Sequence, residues 1–127
     1  MRVVLGCILG LGFMPMTAQA DCFRALEGGQ VLTGVLGAGR FEGAHGKLVQ
    51  AYILNLDAPA CLSSKYPEDV RKAEPKAHIY SADNAVMRKI RQLRGKKVRV
   101  VGEPFASATI HHQAPIVVLV ERIEEVK

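Results

Sequence analysis

Two adjacent histidines, His111 and His112, follow Ser107 and Thr109 and precede Pro115, with apolar runs on both sides. Imidazole nitrogens ligate zinc, which needs three or four ligands at ~2.0–2.3 Å. Neighbouring side chains on a strand point to opposite faces, so both rings reach one ion only from an irregular loop. His45, His78 and Glu103 are further donors, but none stands at a motif spacing. The sequence therefore specifies no metal ligand set and calls for no cofactor. The plainer reading has one imidazole hydrogen-bonding within the Thr109 loop and the other exposed. A ring that titrates near pH ~6.5 also makes the loop a candidate for pH sensitivity.

The second constellation is basic. Arg88, Lys89, Arg91, Arg94, Lys96, Lys97 and Arg99 stand close together, and no acid intervenes between Asp83 and Glu103. Such a patch favours anionic surfaces: glycans, lipid head groups or an acidic protein. Binding of single-stranded nucleic acid also needs aromatic platforms on which bases stack. The chain has no tryptophan, three tyrosines and four phenylalanines, some of which must fill a core, so the composition argues against nucleic acid. The competing reading is a solvated helix face whose cations complement the dipole. Nucleophilic catalysis has no support. There is no G-x-S-x-G elbow, and nothing orients a base onto Ser107 or Thr109. No catalytic residue is assigned.

The chain start reads as a secretory leader. Arg2 supplies a charge, residues 3–14 are apolar, and small residues at 18 and 20 form a cleavage site after Ala20. The apolar run is shorter than the ~20 residues needed to span a bilayer. The expected organisation is a signal peptide at 1–20 and a single domain at 21–127, mildly basic, periplasmic or secreted, with no transmembrane segment. Cys7 leaves with the leader. Cys22 and Cys61 then form an even pair in an oxidising compartment, where they are expected to close a disulfide. The loop-entropy model assigns such a closure ~4 kcal/mol.

The elements that must position these groups are mostly strands. Residues 30–36 alternate and are bounded by glycines, with Gly34 marking a bulge or bend. Residues 48–56 carry the clearest period of two, and Asp57-Ala58-Pro59 should end them. Residues 62–76, with Pro67 and Pro75, read as a loop, and 77–80 as a short third strand. Ser81 and Asp83 are helix-cap types, and Val86, Ile90 and Leu93 then recur at helical spacing up to Gly95. Residues 97–101 form strand four, bent at its exit by Gly102 and Pro104. Residues 116–123 form strand five, whose early part is apolar on both faces and so central. Five strands with a short helix between strands three and four give a mainly β, OB-fold-like barrel.

Three stretches carry a resemblance. Tyr52-Ile53-Leu54-x-Leu56-x-x-Pro59-x-Cys61 is followed by Gly95-Lys96-x-Val98-x-Val100-x-Gly102. The last runs Phe105-Ala106-Ser107-x-Thr109-x-His111-His112-x-x-Pro115-Ile116-Val117. Together they resemble an uncharacterised family of small secreted bacterial proteins known as a domain of unknown function, over most of the segment after the leader. The resemblance implies a small, exported, disulfide-containing barrel. The residues matching its pattern are Cys61, Thr109, His111, His112 and Pro115. It transfers no catalytic residue.

These readings converge on a non-enzymatic binding module for a peptide, glycan or protein, with an anionic surface as a further partner. The expected contact residues are Phe41, Tyr80, Phe105, Thr109, His111 and His112 on the barrel face and loops. The alternative is a metal-binding protein or metal-dependent enzyme centred on His111 and His112.

Overall fold

The computed structural model describes residues 22–109 and 111–127. The expected leader at 1–20, Cys7 and the domain's first residue, Asp21, lie outside the described residues. Among the described residues there are six strands and one α-helix, besides two short 3-10 turns: β1 (Phe23–Arg24), β2 (Gln30–Glu42), β3 (Leu48–Ser63), β4 (Arg71–Tyr80), α1 (Asn84–Gln92), β5 (Lys97–Ala106) and β6 (Ile116–Glu125). Five of them close a ring. β3 pairs with β2, β2 with β5, β5 with β6, β6 with β4, and β4 with β3 again. All are antiparallel except β4–β6. This is the five-stranded OB-like barrel expected from the element order. The helix, however, stands between the fourth and fifth strands of the chain, not the third and fourth. The two-residue β1, which pairs parallel with the end of β3, precedes the strand from which the sequence reading began its count.

Alternation explains the core. Leu32, Leu36, Leu54, Ala77, Ile79, Val98, Val100, Ile116 and Val118 point inward and are buried. Each strand contributes every second residue, as a closed sheet requires. Ile90 of α1 is fully buried, with Val86, Met87 and Leu93 packed beside the core. Asp83 caps the helix, its Oδ1 accepting from the N–H groups of Ala85 and Val86 at 2.8 and 3.1 Å. Gly95, at φ 86°, ends it, and its N–H donates to Leu36 O at 2.7 Å. No helix among the described residues is long and apolar enough to cross a membrane.

Every strand after β1 is longer than its periodicity indicated. Pro59, expected as a terminator, lies inside β3, and Pro75 lies inside β4, where a loop was expected. The β3–β4 register shifts between Asn55 and Ala60 and again before Leu62. Proline is tolerated at such irregularities because the ladder there does not require its missing N–H. Cys61 consequently sits within β3, not in the loop after it. It is disulfide-bonded to Cys22, with Cα atoms 4.7 Å apart. Beside the disulfide, the buried Gln30 side chain ties the N-terminal turn to β2. Its Oε1 accepts from Arg24 N–H, and its Nε2 donates to the carbonyls of Arg24 and Glu27.

Gly34 marks close approach, with no register shift in the β2 ladders. It pairs with Leu56 on one side and Val98 on the other, and a Cβ there would collide with the Asn55 carbonyl. The expected bend at Gly102 is present as a register shift after Val101. Gly37, on the same strand as Gly34, has ordinary room for a methyl group. Gly34→Ala is therefore expected to destabilise the protein by ~1–3 kcal/mol in urea denaturation. Gly37→Ala should change stability by ~0.5 kcal/mol or less.

Candidate functional site

Registered pairs across the ring align one row of outward positions: Gly37 on β2, Ile53 on β3, His78 on β4, Val117 on β6 and Phe105 on β5. Directly opposed residues share a face of the sheet. These five point away from the core, yet His78 and Ile53 are each only 8% exposed and Val117 is fully buried. The outer face is covered here, and the β5–β6 loop provides the cover. Its base is closed by Ser107 N–H donating to Pro115 O at 3.0 Å. Its far side is pinned where the Gln113 backbone N–H donates to His78 Nδ1 at 3.1 Å. Inside the loop, Ala108 N–H donates to His112 Nδ1 at 3.0 Å. His112 stands edge-on to Phe105, with ring centroids 5.5 Å apart, and to His78, at 6.4 Å. Tyr80 completes the cluster, 5.9 Å from His78.

Each Nδ1 is an acceptor, so in the neutral rings the proton sits on Nε2. Burial, followed by the charge of His112, pushes the His78 pKa below its ordinary value. Among the described residues, no carboxylate lies within ion-pair distance of either ring to offset this.

Next to the cluster lies a shallow groove of about 240 Å³. Gly37 leaves its floor open, the Phe41 side of the groove includes Gly39, Asn55 and Lys76 contribute polar groups, and Gln113 lines the side toward the loop. The Phe41 ring lies close over Gly39. The Asn55 side-chain amide donates to Val35 O at 3.3 Å. A second hollow, of about 230 Å³, opens near the disulfide where β2 and β3 diverge. Its single charged residue, Asp57, is already bonded to Lys97 and Thr33, both at 3.1 Å. The hydrogen bond from Lys97 keeps that carboxyl below its usual pKa. The groove beside the histidine cluster is the better candidate because aromatic, amide and cationic groups meet there.

The six expected contact residues separate. Tyr80, Phe105 and His112 converge, and Phe41 lines the adjoining groove. Thr109 and His111 do not join them. Both are exposed, and Thr109 organises the turn, accepting from His111 N–H at its hydroxyl and from His112 N–H at its carbonyl. His78, considered in the sequence only as a distant metal donor, is the group that links the cluster to the loop. The signal for it was the outward parity of position 78 in an otherwise apolar strand. Among the described residues, no three His, Cys, Asp or Glu side chains converge to hold a metal ion.

The basic run is solvent-facing. Arg88, Lys89, Arg91, Arg94 and Lys96 are exposed on or just beyond α1, whereas Lys97 and Arg99 are held in ion pairs with Asp57 and Glu124.

Residues 76–124 match the model of a domain of unknown function (DUF4431). No curated protein and no solved structure matches the chain. The matched stretch contains the end of β4, α1, β5, the histidine loop and most of β6. It includes His78, Phe105, His112 and Gln113 but not the β2–β3 hairpin that bears Phe41.

A lowered histidine pKa in the folded state means that the unfolded chain binds the proton more readily. His78 therefore contributes stability that is complete above the unfolded value of ~6.5 and is lost as pH falls toward and through the folded one. Urea denaturation is expected to show a lower midpoint at pH 5 than at pH 7.5. The gap should narrow in His78→Asn, which retains an acceptor near the Nδ1 position but does not titrate.

Proposed function

We propose that the protein is an exported, non-enzymatic binding module that holds its ligand in the groove between the β2–β3 hairpin and the β5–β6 loop. The observation that carries this reading is the groove itself. Gly37 lets a ligand ring approach the sheet, Phe41, folded over Gly39, offers a flat apolar face, and Asn55, Lys76 and Gln113 supply polar contacts. The groove exposes more polar than apolar surface, which suits a hydroxyl-rich ligand better than an apolar one.

Export is supported by the leader-like start and by the Cys22–Cys61 bond, which persists in oxidising compartments. Fold-level analogy agrees with the position. OB barrels take oligonucleotides and oligosaccharides on the face formed by their second and third strands, flanked by two loops. In this chain those strands are β3 and β4, and the loops are 43–47 and 107–115. Of a peptide, a glycan and a protein segment, a short anionic glycan fits best. Its ring stacks on one aromatic wall and its acid group meets Lys76, whereas a run of bases needs several platforms.

The test is an NMR titration of the purified protein with hyaluronan tetrasaccharide and, as the neutral comparison, maltotetraose. Shifts are expected at Gly37, Gly39, Asn55 and Gln113 with the acidic sugar. Phe41→Ala and Lys76→Gln should each weaken binding about tenfold, the loss of ~1.4 kcal/mol. Arg88→Ala with Lys89→Ala should leave it unchanged. Shifts confined to 88–96 that vanish at ~0.3 M salt would reduce the interaction to screened surface charge and contradict the groove reading.

A further inference from the structure

We infer that His78 and His112 form an acid-released latch on the 107–115 loop, and that releasing it removes one wall of the binding groove. The inference rests on reading the outer face as a binding site, and it assigns that site a control. Gln113 is the point of contact between the two. Gln113 lines the groove, and its N–H is the donor that holds the loop to His78.

The chemistry is that of one atom on each ring. Nδ1 of a neutral imidazole accepts a hydrogen bond. In the imidazolium both nitrogens carry hydrogen and neither accepts. A proton on His78 Nδ1 therefore replaces the bond from Gln113 N–H with two donors facing each other. A proton on His112 Nδ1 does the same to the bond from Ala108 N–H. The two rings also stand 6.4 Å apart, so a charge on either opposes a charge on the other.

The surroundings give a cation no compensation. His78 faces His112 from the loop, Ile53 from β3 and Val117 from β6. On its own strand, Lys76 and Tyr80 flank it two residues away on the same face. His112 faces Phe105 of β5, with Glu103 two residues earlier on that face. Glu103 is not within ion-pair distance of either ring. The lowered pKa of His78 agrees with a ring kept neutral by burial and by its neighbour. Release at His78 is thus expected below the ordinary histidine range, so its bond to Gln113 is closed at neutral pH and opens in mild acid.

The decisive experiment is amide hydrogen exchange by NMR on the purified, ligand-free protein between pH 7.5 and 4.5, expressed as protection factors so that intrinsic pH dependence cancels. Protection at Gln113 and Ala108 is expected to fall about five- to tenfold on acidification, the loss of one hydrogen bond, while core amides such as Leu54 hold. In His78→Asn, Gln113 should remain protected at both ends of the range. In His78→Leu its protection at pH 7.5 should already be as low as the native protein shows at pH 4.5. Equal protection at pH 7.5 and 4.5 in the native protein overturns the latch, as does the same acid loss at Gln113 in His78→Asn. Because this measurement uses no ligand, the latch can stand if the groove binds nothing. Conversely, hyaluronan tetrasaccharide binding in the groove with the same affinity at pH 7.5 and 5 overturns the coupling and leaves the groove reading intact.

Discussion

The parallel pairing of β4 with β6 is the constraint on which the rest depends. Four residues, Ala77 to Tyr80, pair with Ile116 to Leu119 and convert a curved sheet into a closed ring. Without that seam both strands would present bare edges, which attract other chains. With it, Ala77, Ile79, Ile116 and Val118 face inward and are fully buried. The same seam sets the outer face, because parallel register places His78 beside Val117. Core and candidate site are two faces of one pairing.

This explains why the site can be held on a small scaffold. The loop that covers His78 leaves from β5 and returns as β6, so both its ends are fixed by the barrel. The disulfide and the Gln30 bonds work at a different place, where β1 and the start of β2 would otherwise fray. The basic helix face takes no part in the core beyond Ile90 and its neighbours. Its cations are exposed, and among the described residues they form no ion pair.

Much of the barrel could be read from residue order, and the reasons are local. The alternation through Leu54 announced β3, Asp83 and Gly95 bracketed the helix, and the apolar run after Ile116 announced a central strand. The strand ends were hidden because Pro59 and Pro75 normally stop a ladder, and only pairing reveals the register shifts that admit them. The site was less legible. Phe105 and His112 carried a visible signal, but His111 carried the same one and lies exposed. Which imidazole turns inward depends on the turn built on Thr109. His78 gave almost no signal, since a single histidine in a short apolar strand is ambiguous until register decides what covers it. Gly37 and Gly39 read as the end of a strand and prove to lie inside β2, Gly37 at the floor of the groove and Gly39 under the Phe41 ring.

The central claim is that barrel closure puts His78 under the loop, against Gln113 and Val117. Cross-strand and side-chain NOEs in the purified protein at neutral pH test it directly. The account predicts contacts from the His78 ring to the Gln113 amide and the Val117 methyl groups, together with β4–β6 backbone NOEs at Ala77 to Tyr80. A His78 ring with no such contacts, on a β4 strand lacking any NOE to β6, would contradict it.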